Sequence, residues 1–140
     1  MPAWKVIDAT EDEVRSGDLG RRLRRFNYGF VGEYPESKPV WLSARNAEDR
    51  MIGGLRGYVF LSWLHIDLLW VDEAFRTTGL GSELLRQGEA KASALGAHGA
   101  KLETFEWQAP QFYERRGYRE CGRIDNHTDG FYLAFMMKRL

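Results

Sequence analysis

Apolar residues recur along this chain at two spacings, and each spacing predicts its own kind of element. Helical spacing is clearest over residues 82–95, where small and apolar side chains fall on one side and polar ones on the other. A second helical pattern begins at the capping residue Thr10 and continues to Phe30, but two internal glycines leave open whether it is one helix or two. A short third helix is predicted over residues 109–116.

The remaining apolar and aromatic segments are short and predict strands. Seven are expected, at residues 4–9, 40–44, 52–60, 61–71, 100–105, 118–123 and 131–137. With the helices they give the order β–α–β–β–β–α–β–α–β–β, which predicts an α/β fold with one mixed sheet and helices on both faces. The length of 140 residues predicts a single domain, residues 1–140.

Composition narrows the functional classes. Twenty basic and twenty acidic residues cancel, so no net field would recruit nucleic acid or an anionic membrane. The lone cysteine, Cys121, excludes an internal disulfide, and no Cys/His cluster has zinc-ligand spacing, so we expect no metal. The sequence begins without a signal-peptide pattern and holds no apolar run long enough to span a membrane. A cytoplasmic location is therefore expected.

One segment carries a specific chemical signal. A buried apolar strand is expected at residues 68–71, and it runs through a polar turn into Arg76-x-x-Gly79-x-Gly81 and then into the helix from Ser82. Glycines at a helix start let free backbone N–H groups approach an anion, and the arginine adds charge, which suits a phosphate. The alternative is that the glycines only turn a tight corner. Neither a P-loop nor a complete dinucleotide-binding fingerprint is present.

This segment resembles the pyrophosphate-binding motif of the GCN5-related N-acetyltransferases (the GNAT family), whose general form is Arg/Gln-x-x-Gly-x-Gly/Ala. A second stretch, Ala-x-x-Phe-Tyr-x-x-x-Gly-Tyr at residues 109–118, is similar to the family's second signature. The resemblance covers residues 40–140 well and the N-terminal third only by element order. It implies a GNAT-type acyl-CoA acyltransferase fold, in which a mostly antiparallel mixed sheet is splayed between its fourth and fifth strands.

The resemblance implies acetyl-coenzyme A (acetyl-CoA) as co-substrate. Its pantetheine arm would lie in the splay beside the backbone of the fourth strand, where one N–H would polarise the thioester carbonyl. Two departures from the family pattern are Thr77-Thr78, in place of glycine and basic residues, and Glu106, in place of an asparagine that contacts the cofactor. The expected cofactor-binding residues are Leu69, Trp70, Val71, Arg76, Thr77, Thr78, Gly79, Leu80, Gly81 and Ser82.

In the family the acceptor amine attacks directly, so the resemblance requires only proton-transfer groups. Tyr113 matches the usual general acid, which protonates the departing thiolate. His65 lies where several relatives carry a catalytic glutamate, and Asp67 follows two residues later on the same expected strand face, so either could take the amine's proton. Glu33 and Glu103 are further candidates. Tyr113 could instead only pack against the cofactor, and a strand histidine is often purely structural.

The resemblance assigns the acceptor groove to residues 27–34 and 122–132. These stretches hold aromatic and acidic side chains suited to a cationic amine, namely Tyr28, Phe30, Glu33, Tyr34, Asp125, Asp129 and Tyr132. We expect an N-acetyltransferase that acts on a small-molecule primary amine, since the sequence shows no extra module for holding a protein. Three alternatives stay open: a non-catalytic acyl-CoA binder or sensor, a protein-lysine acetyltransferase, and another nucleotide-phosphate protein. A homodimer is also left open.

Overall fold

The computed structural model describes residues 3–140, which fall into two compact units divided after Pro35. The first unit holds two helices. The second, Glu36–Leu140, holds a six-stranded sheet and two further α-helices. No described helix combines the length and the apolarity that crossing a membrane requires.

Helices α1 (Glu11–Arg15) and α2 (Asp18–Val31) form the first unit. Thr10 caps α1 through two reciprocal hydrogen bonds, because its Oγ1 accepts from the Glu13 N–H (3.2 Å) and its own N–H donates to Glu13 Oε2 (3.0 Å). Gly17, in the left-handed conformation (φ 71°), separates the two helices. The segment is therefore two helices, which resolves the alternative that its glycines left open.

The strand predicted at residues 4–9 does not form, and this prediction is wrong. These residues have no regular structure, and Trp4, Val6 and Ile7 are exposed. A strand is stabilised by a hydrogen-bonded neighbour and by a face to bury, and this short segment pairs with none of the described strands. The described sheet therefore has six strands.

The sheet is mixed and mostly antiparallel. Its strands are β1 (Lys38–Arg45), β2 (Met51–Phe60), β3 (Trp63–Val71), β4 (Gly99–Phe105), β5 (Arg119–Thr128) and β6 (Phe131–Arg139). They lie in the order β1-β2-β3-β4-β6-β5, and every neighbouring pair is antiparallel except β3 and β4. This arrangement, with helices packed on the sheet, confirms the predicted fold class.

Helix α3 (Leu80–Ala94) packs against β1, β2 and β3, and a short helix α4 (Pro110–Glu114) follows β4. The predicted apolar side of α3 is confirmed, because Leu84, Leu85, Gly88 and Ala92 are its buried residues. Gly88 permits a close approach to the sheet, since a Cβ there would lie 2.9 Å from Leu55 Cδ1. The helix start is thereby held firmly beside the end of β3.

Strand β3 carries one extra residue relative to β2. Ile66 pairs with Gly57 and Leu68 pairs with Arg56, which leaves Asp67 as a β-bulge. Side chains of a strand alternate between faces with a period of two. The extra residue therefore reverses the alternation. Each residue beyond Asp67 lies on the opposite face from the one that strict alternation counted from Ile66 would give it.

The shift changes which side chains are buried at the end of β3. Leu69 packs against the core, whereas Leu68 and Trp70 are 55% and 49% exposed. The interpretation of residues 68–71 as a wholly buried strand is therefore wrong for two of the four positions. Apolar composition could not reveal this, because the bulge exists only in the pairing with β2.

Strands β3 and β4 separate partway along their length. Among the described residues their last pair is Ile66–Leu102, although β3 continues to Val71 and β4 to Phe105. Strands β3 and β4 correspond to the fourth and fifth strands predicted from the sequence, because the first predicted strand does not form. The splay is confirmed, and beyond it the backbone groups of β3 that face β4 have no strand partner.

Candidate active site

A cleft of about 650 Å³ opens where β3 and β4 separate. Its walls come from the end of β3, the following loop, the first turn of α3, the end of β4 and helix α4. The predicted cofactor-binding residues and the three principal catalytic candidates all line it except His65, Thr78 and Leu80. The lining residues of the prediction are Asp67, Leu69, Trp70, Val71, Arg76, Thr77, Gly79, Gly81, Ser82 and Tyr113. One continuous surface thus joins the glycine loop to the tyrosine.

The loop after β3 delivers helix α3 to the cleft with an open N-terminus. Gly79 occupies the N-cap position with φ 91°, and no side chain caps the helix. A Cβ on Gly79 would meet nothing within 4 Å, so the space over the helix start is open. Gly81 and Ser82 of the first turn also line the cleft. The free N–H groups and the positive end of the dipole of this 15-residue helix suit a phosphate.

Two of the predicted phosphate-loop side chains are engaged within the protein. Thr78 Oγ1 donates a hydrogen bond to the carbonyl of Phe75 (2.5 Å). Leu80 Cδ2 lies 3.4 Å from the position that a Cβ on Gly53 would take, so this side chain packs toward β2. Thr78 and Leu80 therefore support the shape of the loop with their side chains.

Arg116 is a site residue that the sequence analysis did not identify. Its Nε donates to Ser82 Oγ (2.7 Å), its Nη2 donates to the same oxygen, and its Nη1 donates to the Phe112 carbonyl (2.8 Å). The guanidinium carbon also lies 3.8 Å from the centre of the Phe112 ring. The available signal was its position directly before the glycine of the second signature, on the helical turn after Phe112.

The end of the cleft at the start of α3 carries uncompensated positive charge. Arg76, Arg115 and Arg116 all line it, and within residues 3–140 none of them is paired with a carboxylate. Arg76 Nε instead donates to the Val71 carbonyl (3.2 Å), which fixes the loop against the end of β3. Three guanidinium groups beside an open helix N-terminus make this end of the cleft complementary to a polyanion.

Tyr113 stands in the cleft wall with little exposure to water. Its side chain is 8% exposed, and its ring contacts those of Phe112 (5.1 Å) and Tyr118 (5.6 Å). Burial raises the pKa of Tyr113 to about 12 because the phenolate would be poorly solvated. Tyr113 therefore keeps its proton throughout the neutral range, as a general acid must before it acts.

His65 lies on β3 outside the cleft lining. Its ring stacks on that of Tyr58 (4.7 Å between centres), and its Nδ1 is 3.3 Å from Tyr58 Oη. Partial burial lowers the pKa of His65, the positive charge of Lys101 lowers it further, and Asp67 acts in the opposite direction. The imidazole therefore stays neutral, and able to accept a proton, down to a lower pH than the imidazole of an unperturbed histidine does.

Asp67 does line the cleft, and its bulged position lets it do so. Its Oδ2 lies 3.6 Å from Arg56 Nε, and both side chains are partly exposed. An exposed pair of this kind contributes little to stability, so the carboxylate can exchange partners at low cost. Of the three predicted catalytic residues, Tyr113 and Asp67 share the cleft surface and His65 does not.

Glu106 has a structural partner at the end of β4. Its Oε1 accepts a hydrogen bond from the Tyr132 N–H (3.2 Å), and its own N–H donates to the Tyr132 carbonyl (3.0 Å). The two bonds fasten the loop after β4 to strand β6. At this departure from the family pattern the carboxylate therefore makes an internal contact.

Three of the four rings predicted to hold an acceptor cation already face arginines. In the first unit, Arg24 lies over both Tyr28 (5.7 Å) and Tyr34 (5.3 Å). In the second unit, Arg123 lies 3.7 Å from the centre of the Tyr132 ring. A substrate cation could lie over these three rings only if the arginines moved. The structure therefore does not support the three rings as an open cation site.

The comparisons with known proteins agree on one family. The sequence model of the acetyltransferase (GNAT) family matches residues 5–118. Blasticidin-S acetyltransferase of Streptomyces morookaense is 40% identical over 109 residues, which are 75% of this chain and 80% of that protein. The crystal structure of an acetyltransferase from Bacillus cereus ATCC 14579 superposes with a TM-score of 0.83 at 32% identity and covers 98% of both chains.

A more distant structure shares the fold. It is a Bacillus anthracis protein assigned as a streptothricin acetyltransferase and crystallised with acetyl coenzyme A, with a TM-score of 0.66 at 23% identity over 74% of this chain and 64% of that chain. Together with the splayed sheet and its glycine loop, these matches define an acyltransferase enzyme. The chain belongs to the acetyltransferase (GNAT) family.

Proposed function

We propose that this protein is an acetyl-CoA-dependent N-acetyltransferase whose acceptor is the primary amine of a small molecule, attacked directly in a ternary complex. The observation that carries the proposal is the cleft itself, which runs without interruption from the open start of α3 to Tyr113 and the splay of β3 and β4. An elongated ligand with a phosphate group at one end and a reactive group at the other matches this order of surfaces.

The residues of the cleft fit acetyl-CoA. The loop at Gly79–Ser82 with Arg76 and Arg116 would hold its pyrophosphate, and the unpaired backbone edge of β3 at Leu69–Val71 would hold the pantetheine arm. The acetyl-CoA complex of the Bacillus anthracis protein with the same fold supports this assignment. Bound acetyl-CoA supplies the thioester that the amine attacks.

The chain supplies the proton transfers. Tyr113 holds a proton on Oη, in the cleft wall, for the departing sulfur. His65 or Asp67 removes the proton of the amine: His65 through Nε2, since its Nδ1 faces Tyr58, and Asp67 through a carboxylate oxygen on the cleft surface. These proton transfers need no covalent intermediate on the protein. Substituting one residue at a time tests the role of each residue separately.

Two comparisons support the choice of acceptor and of domain. A curated relative at 40% identity is named for its action on blasticidin S, which supports a small-molecule acceptor. The family match at residues 5–118 includes parts of both compact units, which supports the proposal that residues 1–140 act as one N-acetyltransferase domain.

Calorimetric titration with acetyl-CoA, with ATP and NAD as controls, tests the donor site. Selective binding of acetyl-CoA followed by amine-dependent release of thiol from acetyl-CoA would support the full proposal. Binding without turnover on a broad amine panel would favour a non-catalytic acyl-CoA binder. Preference for ATP or NAD would overturn the assignment of the loop.

A further inference from the structure

Four aromatic side chains meet at the end of β4, next to the splay. Phe105 and Trp107 stack with ring centres 4.3 Å apart and planes 10° apart. Phe131 meets Trp107 edge to face at 5.1 Å, and His127 meets Phe105 edge to face at 5.2 Å. We call Phe105, Trp107 and Phe131 the aromatic shelf. The contacts join the loop after β4 to the tip of the β5–β6 hairpin.

The aromatic shelf borders the cleft and remains partly open. Trp107 lines the cleft and is 51% exposed, while Phe131 is 41% exposed. Within residues 3–140 no cation lies over the Trp107 ring, in contrast to the arginine-covered ring of Tyr132. A half-exposed indole beside a catalytic cleft is costly to leave in water and is well suited to contact a ligand.

A free carboxylate stands on the same side of the sheet. Glu103 precedes Phe105 by two residues on β4, so the two side chains share a face. Glu103 lines the cleft, is exposed, and has no hydrogen bond or ion pair within the described residues. Lys101 shares this face but lies opposite His65, two residues farther from the open end of the splay. The cleft thus presents a negative charge on the strand face that also carries Phe105 of the aromatic shelf.

We propose that the aromatic shelf and Glu103 form the acceptor subsite, and that the acceptor is an amine attached to a flat aromatic ring. The ring stacks on Trp107, and the ammonium group pairs with Glu103 before it loses its proton. This inference rests on the proposed N-acetyltransferase function and adds the chemical class of the substrate.

The test uses two amines that differ only in the ring. Phenethylamine and cyclohexylethylamine have the same carbon skeleton and the same charge, but only the first has a flat π-face. The wild-type enzyme with saturating acetyl-CoA is expected to show a kcat/KM about three- to tenfold higher for phenethylamine. Trp107→Leu is expected to abolish that preference, and Trp107→Phe should retain most of it.

Two further variants separate ring from charge. Glu103→Gln is expected to raise the KM of both amines by about three- to tenfold while keeping the preference for the flat ring. Trp41→Leu removes an indole that is 70% exposed on β1 and does not line the cleft, and it should leave both amines unaffected. Equal kcat/KM for the two amines in the wild type, or a preference that survives in Trp107→Leu, would overturn the subsite.

A binding measurement keeps this inference distinct from the proposed function. Titration of the CoA-loaded protein with phenethylamine reports the subsite even if no acetyl group is transferred. Binding that is lost in Trp107→Leu, without turnover of any amine, would support the subsite and refute the enzymatic proposal. Turnover of both amines without discrimination, together with binding that is insensitive to Trp107→Leu, would leave the enzyme in place and refute the subsite.

Discussion

Arg116 and Ser82 are 34 residues apart in sequence, yet the guanidinium of Arg116 donates to Ser82 Oγ from both Nε and Nη2. The contact ties the second family signature to the first turn of α3. It aims a permanent positive charge at the place where the proposed pyrophosphate would lie, while no carboxylate among the described residues neutralises it.

The first prediction concerns this charge. Arg116→Gln should raise the Kd for acetyl-CoA about tenfold, because a charge-assisted contact to an anion is lost. Calorimetric titration measures the change. The matched control is Arg86→Gln on the exposed side of α3, where Arg86 pairs with Glu83, and it should leave the Kd unchanged. Equal effects of the two substitutions would reduce the role of Arg116 to general electrostatics.

The second prediction concerns the general acid. Tyr113→Phe should lower kcat about 100-fold while the Kd for acetyl-CoA changes less than about twofold, because only the proton donor is removed. Pre-steady-state turnover and calorimetry give the two numbers. Tyr118→Phe is the control, since the Tyr118 hydroxyl faces Glu89 and does not line the cleft. A parallel loss of affinity and rate in Tyr113→Phe would assign Tyr113 a packing role only.

The third prediction uses the direction of the His65 pKa shift. The pKa of His65 is lowered, so the imidazole stays neutral as pH falls and becomes protonated only below its usual value of about 6.5. If His65 is the base, the ratio of wild-type to His65→Gln kcat/KM should be constant above that pH and fall below it. Taking the ratio on one acceptor cancels the ionisation of the amine itself.

Asp67→Asn is the companion measurement for the base. If the ratio of wild-type to Asp67→Asn kcat/KM falls at low pH while the ratio of wild-type to His65→Gln kcat/KM stays constant, the role of base moves to Asp67. At alkaline pH, loss of the Tyr113 proton should not alter the pH profile of kcat/KM in either variant, because the pKa of Tyr113 is raised to about 12.

The fourth prediction concerns the bulge that sets the end of β3. A Cβ on Gly57 would lie 2.5 Å from the His65 carbonyl oxygen, so Gly57→Ala must displace backbone beside the bulge. We expect it to lower the free energy of unfolding by about 3 kcal/mol in urea titrations. Gly20→Ala in α2 meets nothing within 4 Å and should be neutral or stabilising by up to about 1 kcal/mol. Similar stability of the two variants would contradict the close packing at Gly57.

Much of the fold was predictable because its signals are local. Three features each depend on spacings within one element: the buried side of α3, the turn at Gly79 and Gly81, and the second signature. The failed strand at residues 4–9 shows the limit of this reasoning. Its alternation of apolar residues was local too, but a strand also needs a neighbour, and the sequence of the segment does not provide one.

The candidate site was predictable only in part for the same reason. The sequence named the residues of the phosphate loop and Tyr113, and the structure places Tyr113 and all of the loop residues except Thr78 and Leu80 on one cleft. It did not name Arg116, whose relevance depends on Ser82, or Trp107, whose stacking on Phe105 and edge-to-face contact with Phe131 depend on the meeting of a loop and a hairpin.

The sequence by itself therefore determined the family, the helix that carries the phosphate loop and the tyrosine of the second signature, because these are written in short-range spacing. Only the tertiary structure decided where β3 and β4 part after Ile66, which face of β3 is buried beyond Asp67, and which aromatic rings arginines already cover. Those features arise from strand register and from contacts between distant segments, and no spacing along one segment encodes them.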